Sequence, residues 1–317
     1  MNNNLQNIGK NSSRGRVSTV RAFAEVVRNY AEACFGAGIQ VFVHETVKNN
    51  GVVQTGICIK DGTGDIAPVI YLDGYFEEYC AGKAMDGLCR DILGAYAAGK
   101  PFDGFDISSV TDFRRVQGCI CFKLVNAERN RELLAGSPYL LYHDLAVVFY
   151  IIAGGSFKEG ISTIAVKKDI QDMWGVDART IYAAALRNTG LLLGCSVQSM
   201  ADVLREMASE KLDGGCSADA SFPIPMYVAS NSYKFNGAAV LLYPGLLEWF
   251  ADKAAGDFYI LPSSIHEVLF LPCSAGFEPD EVRSIVHEVN HAEVLPEDFL
   301  SDNIYRYSKA EGRVEII

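Results

Sequence analysis

Residues 39–60 read IQVFVHETVKNNGVVQTGICIK. Two runs rich in β-branched side chains, 39–47 and 52–60, meet at Asn49-Asn50-Gly51. Asn and Gly both tolerate a positive φ, so Asn-Gly between such runs is the strongest short hairpin signal. The stretch predicts an antiparallel pair joining residues around 40–48 to 52–60, and with it a sheet in the first third of the chain.

Working outward, Ser18 or Thr19 caps a predicted helix whose apolar positions Val20, Phe23, Val27, Tyr30 and Cys34 form one stripe, ended by Gly36 and Gly38. Residues 1–16 read as a disordered leader. After the hairpin, a third strand is predicted over 66–72, then helices near 75–80 and 85–96, a strand over 119–125 and a short helix over 127–135. Gly136-Ser137-Pro138 is the best boundary between lobes.

Beyond it, 139–153 and 161–166 read as a strand pair around Gly154-Gly155. Asp177 caps a helix that ends near Gly190, and a second helix carries Met200, Val203, Leu204 and Met207 on one face. Residues 211–223 read as a loop. Strands follow near 226–229, 238–243, 258–261 and 267–271, with a helix over 245–255. Pro279, Asp280 and Glu281 open a last helix. The chain is therefore expected to be α+β, with lobes at 17–137 and 138–317, each a mainly antiparallel sheet with packed helices. The halves faintly echo each other, since Asn50-Gly51 and Asn236-Gly237 each precede a predicted strand. A diverged duplication explains that echo, and so does coincidence of a common pattern.

Composition narrows the function classes. Hydrophobic residues make up 49% of the 317 and charged ones 21%, enough to bury a sizeable core. A net charge of −11 opposes phosphate backbones, and the basic residues Lys10, Arg14, Arg16 and Arg21 sit near a solvated terminus. No nucleic-acid partner is expected. The longest apolar run, 145–155, is too short for a bilayer, which needs about 20 residues, so no membrane role is expected either. The nine cysteines are odd in number and scattered without framework spacing, and the start lacks a secretion pattern. A reducing cytoplasm is the expected compartment.

Three motifs carry possible chemistry. Gly62-Thr63-Gly64-Asp65-Ile66-Ala67 fits a dinucleotide fingerprint, but Pro68 and Val69-Ile70 follow where a helix must begin, so a turn is expected and no cofactor. His287-Glu288-Val289-Asn290-His291 is a literal H-E-x-x-H, in which two histidines grip zinc and the glutamate activates its water. At about 100° per residue, Val282, Ile285, Val286 and Val289 point nearly opposite to His287 and His291. The histidines are thus expected on a solvated face, with no metal. Ser263-Ser264-Ile265-His266-Glu267 offers hydroxyls beside an imidazole and a carboxylate. Sequence neighbours rarely form a nucleophile–base pair, so hydrogen-bonded turn residues are expected there. Cys119-x-Cys121 lacks a second pair of ligands nearby, which favours packing over metal binding.

Several segments resemble one bacterial family. Residues 144–150 (DLAVVFY), 259–268 (YILPSSIHEV), Glu288-Val289-Asn290 and 300–305 (LSDNIY) are similar to the family called domain of unknown function 5688, as are Gly56-Ile57-Cys58-Ile59-Lys60 and Ile70-Tyr71-Leu72-Asp73. The resemblance runs from about Ala22 to Tyr307. It implies membership and carries no activity with it. His266 lies in a family-like stretch, which makes His266, Glu267, Ser263 and Ser264 the first candidates for any catalytic site. The expected function is non-enzymatic binding or regulation inside the cell, through a protein partner. The alternative is a hydrolase, either zinc-dependent through His287, Glu288 and His291 or using Ser263 or Ser264 with His266.

The cysteine pattern yields a direct expectation: all nine are free thiols in the native protein. Alkylation without reductant followed by intact mass should show nine adducts, and two cysteines left unmodified and linked to each other would contradict it.

Overall fold

The computed structural model describes residues 17–36, 38–60, 69–98, 107–156, 160–211 and 224–317. The chain is α+β, with three antiparallel sheets among the described residues. Its contacts divide it into two units, Met1–Lys48 with Val53–Asp103, and Asn49–Val52 with Gly104–Ile317. The expected leader 1–16, the Gly62–Ala67 motif and most of the 211–223 loop lie outside the described residues. No helix among the described residues is long and apolar enough to cross a membrane.

In the first unit, the expected hairpin forms. Strands β1 (Gln40–Val47) and β2 (Val53–Lys60) pair antiparallel from Gln40↔Lys60 to Val47↔Val53. Asn50 (φ 58°) and Gly51 (φ 74°) make the left-handed turn that Asn-Gly permits. Strand β3 (Val69–Tyr71) pairs with β2 at Gly56–Cys58. Gly56 allows this approach, because a Cβ there would sit 2.6 Å from Val69 Cγ1 and 2.7 Å from the Ile70 carbonyl oxygen. The helix Val20–Phe35, capped by the Thr19 hydroxyl, buries Phe23, Ala24, Val27 and Ala31. These pack with Val41, Ile57, Ile59, Leu88 and Ile92, the last two from the helix Met85–Ala98.

The second unit holds the other two sheets. In one, β4 (Ile120–Asn126) and β5 (Tyr139–Tyr142) both pair with β6 (Leu145–Ser156), and β7 (Gly160–Ala165) extends it. β6 is buried at every position from Leu145 to Ile151, as a strand covered on both faces must be. The other sheet has the order β13-β12-β10-β11-β9-β8, formed by β8 (Ser196–Ser199), β9 (Tyr227–Ser230), β10 (Phe258–Leu261), β11 (Val268–Pro272), β12 (Tyr305–Ser308) and β13 (Arg313–Ile316). Its side chains alternate between two cores. Phe258, Ile260, Val268 and Phe270 face the helix Leu246–Lys253, while Tyr259, Leu261 and Leu271 face the helix Pro279–Ala292.

Two local expectations are corrected. Residues 139–153 are not one strand: His143 takes φ 54° and reverses the chain between β5 and β6, so both strands lie in one sheet. Residues 238–243 are not a strand either. Asn236 (φ 51°) turns the chain into the buried 3-10 helix Gly237–Leu242, and a Cβ at Gly237 would lie 2.3 Å from the His266 carbonyl oxygen. The two Asn-Gly steps therefore lead into different structures, a strand at 51 and a 3-10 helix at 237. Gly136-Ser137-Pro138 lies between the helix Arg131–Ala135 and β5. Gly and Pro mark turns as readily as domain limits.

Phe250 is fully buried, with Tyr227, Phe258 and Phe270 rings at centroid distances of 5.1, 4.7 and 4.8 Å. Phe250→Ala should lower unfolding free energy by about 3–5 kcal/mol. Its half-exposed neighbour Trp249, changed to Ala, should cost under about 1 kcal/mol. Urea denaturation distinguishes the two.

Candidate functional site

The helix Pro279–Ala292 begins with proline in its first turn and a capping box, in which Glu278 and Glu281 each satisfy the other's backbone N–H. Its buried stripe is Val282, Val286 and Asn290. Ile285 and Val289, expected to face inward, are 47% and 43% exposed. The inward direction is thus rotated by about 50° toward the histidines, which stand about 120° from it instead of opposite. Asn290 is the cause: its amide Nδ2 donates to the Ser301 carbonyl and to Asp302 Oδ1, both at 2.9 Å. A polar side chain with two fixed acceptors inside outcompetes a valine for the interior.

That rotation brings a third group to the histidines. One nitrogen each of His287 and His291 and a carboxylate oxygen of Asp302 lie within 4.8 Å of one another. Both histidines are exposed and Asp302 is half-buried. The two imidazoles stack at 4.1 Å, and His291 Nδ1 donates to the His287 carbonyl at 2.8 Å. A carbonyl only accepts, so Nδ1 carries the proton and Nε2 keeps its lone pair.

The segment 296–303 anchors Asp302. Asp144, in the turn before β6, accepts from Ser301 Oγ (2.6 Å), Asn303 Nδ2 (3.0 Å) and the Tyr305 hydroxyl. Burial, with Asp144 beside it, pushes the Tyr305 phenol far above its ordinary pKa, so it stays protonated and donates to Asp144. From Pro296 to Ser301 every backbone carbonyl has a donor: Asn50, Asn49, the Ile265 N–H, Asn50 again, Asn126 and Asn290 in turn.

His266 is held differently from a catalytic base. Its Nε2 meets Asp298 Oδ1 at 3.1 Å, and its Nδ1 accepts the Asn236 N–H at 3.3 Å. A backbone N–H only donates, so Nδ1 is unprotonated and Nε2 carries the proton to Asp298. Neither nitrogen has a lone pair for a serine. Ser264 Oγ accepts the His266 N–H at 3.0 Å, and the Ser263 carbonyl accepts the Leu300 N–H at 2.9 Å. Ser263, Ser264 and His266 are neighbours joined by turn bonds, and Glu267 is half-buried beside β11. Cys121 is buried, which pushes its thiol up to about 12 and keeps it neutral in the core.

Sequence reasoning missed Asp302, Asp298, Asp144 and the inward turn of Asn290. A signal for the last is present: Asn290 falls on the stripe at i+8 from Val282 and i+4 from Val286.

Asn290→Ala strips donors from the Ser301 carbonyl and Asp302. In chelator-treated buffer it should lower unfolding free energy by about 2–3 kcal/mol, while His287→Ala stays within about 0.5 kcal/mol. Equal costs in a urea titration would contradict this account.

Asp144, the 262–266 turn, Glu288-Val289-Asn290 and 300–305 thus meet in one hydrogen-bonded network. No curated protein and no solved structure matches the chain. A family model described as a family of unknown function, DUF5688, matches residues 20–309, and the chain belongs to that family.

Proposed function

We propose that the chain is a non-enzymatic binding or regulatory protein that works inside the cell through a protein partner. The observation that carries this reading is the bonding of His266. Both ring nitrogens are committed, so the imidazole beside Ser263 and Ser264 acts as a cross-link between loops rather than as a base. A contact surface is supported by Ile285, Val289 and Leu295, exposed apolar side chains on and just after the Pro279–Ala292 helix. The acidic charge and unpatterned cysteines support a protein partner in a reducing compartment.

The zinc-hydrolase alternative gains Asp302 as a third ligand for His287 and His291. It further requires Glu288 to activate water, so Glu288→Gln would abolish any zinc-dependent turnover.

Cross-linked capture from the native host should recover a protein with wild type that the Ile285→Asp, Val289→Asp double variant loses. Equal recovery by both, or hydrolysis of ester or peptide substrates that His266→Ala abolishes, would overturn the reading.

A further inference from the structure

The geometry points to a divalent transition-metal site formed by His287, His291 and Asp302, with zinc as the ion whose ligand chemistry fits it best. Two imidazoles and one carboxylate are a borderline donor set, suited to zinc and its first-row neighbours and poorly suited to calcium or magnesium, which take oxygen ligands. Three protein ligands leave the fourth position of a tetrahedral zinc for water.

Two features set this cluster apart from a chance grouping of surface residues. The histidines stand at i and i+4 on a regular helix, one turn apart, with their rings stacked at 4.1 Å. Each of two ligands also has its own orienting bond. His291 donates Nδ1–H to a backbone carbonyl, which leaves Nε2 for the ion, and Asp302 Oδ1 is held by the buried Asn290 amide. Partners of this kind fix tautomer and direction in metal sites.

Ligand atoms around a tetrahedral zinc lie about 3.3 Å apart, given bonds of about 2.0–2.1 Å. Atoms already within 4.8 Å need only a small approach, which rotation of the exposed His287 imidazole can supply while His291 keeps its orienting bond. The ion would then tie the last turn of the Pro279–Ala292 helix to the segment that Asp144 and Asn290 hold.

The test uses the full chain, stripped with chelator and titrated with Zn²⁺ by calorimetry and with Co²⁺ by visible absorption. One equivalent should bind, and His287→Ala, His291→Ala and Asp302→Asn should each weaken binding at least about tenfold. Asn290→Ala, acting through Asp302, should weaken it about 10–100-fold. His44→Ala, an exposed histidine elsewhere, should leave it unchanged. Zinc at a hundredfold excess over its Kd should raise the Tm of wild type by roughly 5 °C or more and that of Asp302→Asn by about half as much or less. Wild type and Asp302→Asn binding zinc equally would overturn the proposal, because the histidine pair alone would then account for it. So would wild type taking up no stoichiometric zinc, or magnesium displacing it.

Discussion

The second unit depends on how a stretch with no regular secondary structure satisfies its backbone. Six carbonyls from Pro296 to Ser301 have no helix or full ladder to enter, and five of them are taken by asparagine amides. The sixth, that of Asp298, takes the Ile265 N–H. A buried carbonyl without a donor costs about 1–3 kcal/mol, and that cost would fall most fully on the buried residues Phe299, Leu300 and Ser301. Asn49, Asn50, Asn126 and Asn290 come from a turn, a strand end and a helix. Asn126 and Asn290 therefore also set the distance of their own elements from the segment. The Asn130 amide, bonded to Asn50 and to the Asn126 carbonyl, fixes two of these donors in turn.

The same constraint decides the face of the last helix. Burying Ile285 and Val289 would gain apolar area, but it would withdraw Asn290 from the Ser301 carbonyl and Asp302. The two bonds of the Asn290 Nδ2 are kept although its Oδ1 is buried without a partner and Ile285 and Val289 stay half-exposed. The helix therefore settles with Val282, Val286 and Asn290 inward, leaving an apolar strip on one flank and His287 and His291 on the other.

This explains what was legible in the sequence and what was not. The hairpin at Asn50-Gly51 follows from local chemistry and forms in the expected register. The helix from Pro279 follows from its caps and its stripe. Apolar periodicity weighs valine and isoleucine but not the pull of a distant acceptor, so it misjudges the rotation of that helix. It fails likewise at 238–243, where a buried 3-10 turn and a buried strand look alike as apolar runs. The turn at His143 needs a positive φ that histidine seldom takes, and only the pairing of β5 with β6 reveals it. Asp302 and Asp298 are invisible as partners for a simpler reason. Each meets its histidine across a fold of the chain, and sequence distance says nothing about that.

The two histidine sites are opposite solutions to one chemical problem. His266 donates and accepts within the protein, and its ring has nothing left to offer a ligand. His291 uses one nitrogen for the helix and leaves the other facing water, beside a carboxylate already oriented from within. Because Asn290, Asp144, the Pro262 carbonyl and the pairing of β12 hold the 301–305 segment, a metal ion at this site would add to a formed structure rather than create one. Structural zinc in small domains works the other way, supplying folding energy that the chain lacks. A site whose scaffold stands without the ion is free to respond to metal concentration, since loading it changes one flank of a helix whose other flank bears exposed apolar side chains.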